Sequence, residues 1–112
     1  MKTNDIKNLE TSLEVSFNNC LELTQTLNRL YNLKYHPSIV VKYTKIDTGD
    51  TGIYHLIPLY FDNNKRGERN GLFSVLLKDG EEHNRKVDGA YSKQWFRVEN
   101  LELLNIAILP IA

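Results

Sequence analysis

Residues 38–61, SIVVKYTKIDTGDTGIYHLIPLYF, decide the fold class. Two runs rich in β-branched and aromatic residues, 38–46 and 53–61, flank the polar hexad Asp47-Thr48-Gly49-Asp50-Thr51-Gly52, whose residue types favour tight turns. A β-hairpin follows. In the second run, alternation puts Ile53, His55, Ile57, Leu59 and Phe61 on one face and Tyr54, Leu56, Pro58 and Tyr60 on the other. Both faces are therefore expected to be at least partly covered. Pro58 has no N–H to donate to a ladder, which predicts an edge or a bulge there.

Upstream of this hairpin the period changes. Ile6, Leu9, Leu13, Cys20, Leu23, Leu27 and Leu30 recur at alternating spacings of three and four, broken where Ser16 takes a seam position. That spacing predicts a helix over about residues 5–33, with Asn18-Asn19 as a candidate interruption. Thr3, Asn4 and Asp5 offer N-caps, and His36-Pro37 offers a stop because the residue before proline is pushed out of the α region. The seam is nearly heptad. Its flanks (Glu10, Ser12, Phe17, Asn19, Thr24, Thr26 and Tyr31) lack the opposite charges that fix a coiled-coil partner, and Phe17, Leu21 and Tyr31 widen the stripe. The helix is expected to lie on the chain's own sheet, with a helix pair in a homodimer as the alternative.

Downstream, 62–71 (DNNKRGERNG) reads as a polar loop and 72–78 (LFSVLLK) as a strand before an Asp79-Gly80 turn. Residues 81–94 are polar with a turn at Gly89, 95–98 form a short strand, and 101–111 (LELLNIAILPI) are too apolar to stay undocked. This last run is a final strand or an oligomer surface, and Pro110 marks where it leaves the ladder. The expected architecture is α+β: one long N-terminal amphipathic helix packed on a mostly antiparallel sheet or small partly open barrel of about five strands. Residues 1–112 form a single domain, with the β region at about 38–111.

The bulk properties remove several function classes. With 112 residues, 41% hydrophobic and 25% charged, the chain has globular composition. Lysine plus arginine and aspartate plus glutamate both total 14, so the overall basic charge typical of a dedicated DNA-binding domain is missing. The one cysteine, Cys20, allows no intrachain disulfide and no multi-cysteine metal site. With no charged leader and no apolar run near the roughly 18 to 20 residues that span a bilayer, a cytoplasmic home and no membrane are expected. Abundant asparagine, lysine and isoleucine suit an AT-rich genome, as in phages and plasmids of low-GC bacteria.

Three constellations carry chemistry. The doubled Asp-Thr-Gly matches the triplet that holds the catalytic aspartate of aspartic proteases. A glycine in the later apolar stretch, which braces such sites, is missing from 106–111, so the turn reading of Asp47 and Asp50 is preferred and no catalytic residue is assigned. Lys65, Arg66, Arg69, Arg85, Lys86, Lys93 and Arg97, beside Trp95 and Phe96, are the candidate nucleic-acid or partner-binding residues, because cations neutralise phosphates while aromatic faces stack on bases. Between residues 62 and 97 eight basic side chains face six acidic ones, an excess of two that also suits a mixed-charge surface. His36, His55 and His83 are too far apart for a metal-ligand motif, and no cofactor fingerprint is present.

The sequence therefore points first to a small non-catalytic binding protein acting through protein–protein contacts, of the kind phages and plasmids use to modulate or inhibit a host factor. Tyr31, Tyr35, Tyr54, Tyr60, Tyr91 and Trp95 exceed what one small core needs. A nucleic-acid-binding module using the basic loop is the alternative. An aspartic-protease-like hydrolase comes third.

Overall fold

The computed structural model describes residues 3–78 and 91–110. Helix α1 (Thr3–Tyr31) is followed by β1 (Tyr35–Thr44), β2 (Thr51–Asn63), β3 (Arg69–Lys78), β4 (Ser92–Arg97), a 3₁₀ turn at Val98–Asn100, and β5 (Leu101–Pro110). All neighbouring strands are antiparallel, in the order β4-β3-β2-β1-β5. Among the described residues the sheet is open, with β4 and β5 as its edges. The turns at Asp79-Gly80 and Gly89, and residues Arg85, Lys86 and His83, lie outside the described residues.

The helix is continuous through Asn18-Asn19. Leu13, Cys20 and Thr24 are buried, Leu9 and Phe17 pack against the core, and the Thr24 hydroxyl is satisfied by the Cys20 carbonyl at 2.7 Å. Leu23 and Leu30, placed on the seam by spacing, are instead exposed. A straight helix has 3.6 residues per turn, so a stripe counted at 3.5 drifts by about 20° per heptad, and the inward position passes from 23 to 24.

The helix also ends earlier than proline placement suggests. Asn32 adopts φ 51°, and the Leu33 N–H donates to the Asn28 carbonyl at 3.1 Å, the geometry of a left-handed C-cap. The Asn28 amide then donates to the Tyr35 carbonyl (3.1 Å) and accepts from the Tyr35 N–H (2.9 Å), which fixes the turn into β1. Pro37 lies inside β1 and pairs with Ile108 of β5. The β1–β2 ladder begins only at Ile39↔Leu56; continuing that register would set Pro58 opposite Pro37. Neither proline has an N–H to continue the ladder, and the far half of β2 pairs with β3 alone.

A second break resets the alternation of β2. Pro58 pairs with Phe73 and Tyr60 with Leu72, leaving Leu59 as a bulged residue. Before the bulge Tyr54 and Leu56 face the core; after it Phe61 does, and Tyr60 turns outward. The expectation that Tyr60 shares a face with Tyr54 fails for this reason, and Tyr54, a surface candidate, is a core residue.

The sheet curls tightly around that core. Phe96 of β4 meets Tyr43 of β1 edge-to-face at 4.8 Å between ring centroids, although three strand spacings of a flat sheet would span about 14 Å. Phe96 also meets Tyr54 at 5.2 Å and Phe73 at 5.6 Å. The short Val98–Asn100 turn then carries the chain from one sheet edge to the other, anchored by buried Val98 and by the Asn100 amide on the Thr44 carbonyl at 3.0 Å.

Candidate functional site

Two places gather the residues singled out by sequence, and their surroundings differ. The first is the corner where the β2–β3 loop meets the N-terminal half of α1. Asn64 organises this loop: its side-chain oxygen accepts from the Arg66 and Glu68 N–H groups, both at 2.9 Å, while Gly67 supplies φ 77°. Lys65 and Arg66 sit exposed at the tip.

Arg69, the first residue of β3, turns back onto the helix and grips Glu10 through Nε (3.0 Å) and Nη2 (2.8 Å). The hydrogen bond that the guanidinium donates to Glu10 holds its pKa above the ordinary value. Arg97, at the end of β4, pairs with Glu68 and, at 3.0 Å, with Glu99. A groove of about 550 Å³ runs between helix and loop, lined by Ile6, Lys7, Glu10, Thr11, Glu14, Asn63, Gly67, Glu68, Arg69 and Glu99. The two arginines are thus brought together among carboxylates. Glu10 and Glu14 escape a sequence reading focused on cations, but like charges four apart on a helix repel unless a partner lies elsewhere, and that was a usable signal.

The second place is the outer face of the sheet near the β4 edge. Tyr60, Leu72 and Trp95 form a cross-strand row on β2, β3 and β4. Tyr60 is 56% exposed and Trp95 51%, and their rings meet edge-to-face at 6.4 Å. Leu59, pushed out by the bulge, is also exposed. Lys93 follows the same alternation as Trp95, two residues earlier on β4, and is exposed. No family model, curated protein or solved structure matches this chain.

The remaining motifs have plain structural roles. The Asp-Thr-Gly repeat is the β1–β2 turn: Gly49 has φ 73°, its N–H donates to the Lys45 carbonyl at 2.9 Å, and Asp47 and Asp50 are exposed to water. Two carboxylates share a proton only when held close together, which solvated turn positions do not impose. Cys20 is buried with its thiol 3.5 Å from the Ala107 carbonyl. His36 rests edge-on against Tyr91 at 5.2 Å. Among the described residues no three histidine, cysteine or acidic side chains converge on one point, and no helix is long and apolar enough to cross a membrane.

Proposed function

We propose that this protein is a non-catalytic binding domain that works by contact with another protein through the row Tyr60–Leu72–Trp95. The observation that carries this reading is the pair of half-exposed aromatic rings held against each other on a sheet face. Tryptophan and tyrosine lose little entropy on binding and dominate interface energetics, and here the bulge at Leu59 and the T-shaped contact pre-set their positions. The proposal extends to a modulator or inhibitor of a host factor, encoded by a phage or plasmid and acting in the cytoplasm. Small size, zero net charge and one buried free thiol support that extension.

The test is affinity capture from a bacterial lysate with wild-type, Trp95→Ser and Tyr60→Ser baits of matched circular dichroism. A partner held by wild type and released by both variants supports the reading. Capture unaffected by either variant, or none at all, overturns it.

Lys93 beside Trp95 favours one second reading, stacking and phosphate contact with single-stranded nucleic acid. It is supported less, because Arg69 and Arg97 are already matched by Glu10, Glu68 and Glu99. Salt-dependent retention of an oligonucleotide, lost when Lys93, Lys65 and Arg66 become alanine, would favour it over protein binding.

A further inference from the structure

The two edges of the sheet are treated differently. An edge strand offers unpaired N–H and C=O groups, and proteins guard such edges with short strands, charges or proline. β4 has six residues and carries Lys93 and Arg97. β5 has ten residues, a single charge at Glu102, proline only at position 110, and one bulge at Leu104, where its pairing with β1 shifts register. Within β5, Leu104 is 44% exposed and Ile106 36%.

The helix extends this apolar border into a second layer. The Cys20 thiol on the Ala107 carbonyl puts α1 beside β5, whereas Glu10, Glu14 and Phe17 face the β2 side around Pro58 and Tyr60. At about 100° per residue, the flank turned toward β5 carries Leu23 and Leu30, which are 49% and 65% exposed. Edge strand and helix flank thus form one strip whose exposed apolar residues, Leu23, Leu30, Leu104 and Ile106, stand among the polar Ser12, Asn19 and Asn105.

We propose that a second copy of this chain covers that strip, with β5 pairing antiparallel to β5 about a two-fold axis to give one continuous sheet across both copies, and the two helices side by side above it. A two-fold contact must be self-complementary, and this strip is. Antiparallel pairing about the middle of β5 sends the two Glu102 carboxylates to opposite ends of the seam, so no like charges oppose each other. A strand of ten residues is about 33 Å long, and strand plus helix stand about 20 Å tall, giving on the order of 600 Å² per copy. That reaches the lower bound of specific protein interfaces, about 1,200 Å² in total. The inference is independent of the Tyr60–Trp95 reading, since it uses the opposite edge.

The experiment is sedimentation equilibrium and light scattering of the full chain from submicromolar to submillimolar concentration. The expected result is a dimer for wild type, a monomer for the Leu23→Glu, Ile106→Lys double variant with unchanged circular dichroism, and a dimer for Trp95→Ser. Ile106→Cys should cross-link two chains on oxidation. Because a charged variant can fail to fold, hydrogen exchange of wild type supplies the second reading: β5 amides should lose protection on dilution while β2 amides keep theirs. A monomer throughout, a dimer that survives the double variant, or β5 protection independent of concentration would overturn the proposal.

Discussion

The Arg69 guanidinium closes on the Glu10 carboxylate through two hydrogen bonds, 3.0 Å from Nε and 2.8 Å from Nη2, tying the first strand after the polar loop to the helix. Both groups remain partly open to water, with side-chain exposures of 31% and 16%, so solvent screens the pair. Glu10→Gln is expected to cost about 1 kcal/mol in urea unfolding, with the gap to wild type shrinking at high salt. Arg69→Lys should restore little, because an ammonium cannot reproduce the forked contact. The raised pKa of Arg69 means its contribution is fully present below its ordinary pKa and lost only as pH rises through the folded value, so this arginine adds no pH dependence near neutrality.

Gly71 should tolerate no side chain. A Cβ there would lie 2.5 Å from the Phe73 ring and 2.9 Å from the Phe61 ring, both fixed in the core. Gly71→Ala is expected to destabilise by about 1 to 3 kcal/mol through overpacking, seen as a lower midpoint in thermal unfolding. Gly67→Ala meets no neighbour within 4 Å, and its cost, about 1 kcal/mol, comes only from its φ of 77°.

Phe96 is the side chain that joins the two sides of the curled sheet. Phe96→Ala removes edge-to-face contacts with Tyr43, Tyr54 and Phe73 and opens a cavity, for an expected loss of about 3 to 5 kcal/mol. Phe96→Leu should lose less. Denaturant midpoints of the two variants check the order, and equal losses would contradict the packing account.

Asn28 holds both polar groups of the Tyr35 backbone, so Asn28→Ala strands a donor and an acceptor at the entry to β1. The expected cost is about 1 to 2 kcal/mol. Asn32→Gly should be neutral or stabilising because φ 51° suits glycine, whereas Asn32→Val should destabilise. Chemical unfolding of the three variants tests the helix stop separately from the strand entry.

Element types were readable in this chain because the 3.6-residue and two-residue periods are strong on either side of residue 34. The Asp47–Gly52 turn followed from residue types alone, whereas the apolar run 101–111 allowed either a final strand or an oligomer surface, and its residues Leu101–Pro110 form the strand β5. What period could not convey was where each period breaks. The Leu59 bulge turned Tyr60 outward, and the left-handed Asn32 ended the helix before any proline. The acidic surroundings of Arg69 and Arg97 were hidden for another reason: Glu10 lies far along the chain from Arg69, and Glu68 from Arg97, and ion pairing across the fold leaves no local spacing to read. Tyr60 and Trp95 are brought into contact because both pair with Leu72 of β3, a register that sequence does not specify.

The placement of β1 between β2 and β5 also sets an order in time. The β1–β2 and β2–β3 hairpins close short loops, but β1 gains its second neighbour only from β5, the last strand among the described residues. During synthesis the β1 edge and the adjoining side of the helix must wait, bare, until β5 leaves the ribosome. Folding of this small domain is therefore governed by one late, non-local closure, the stage at which a nascent chain is most open to premature association.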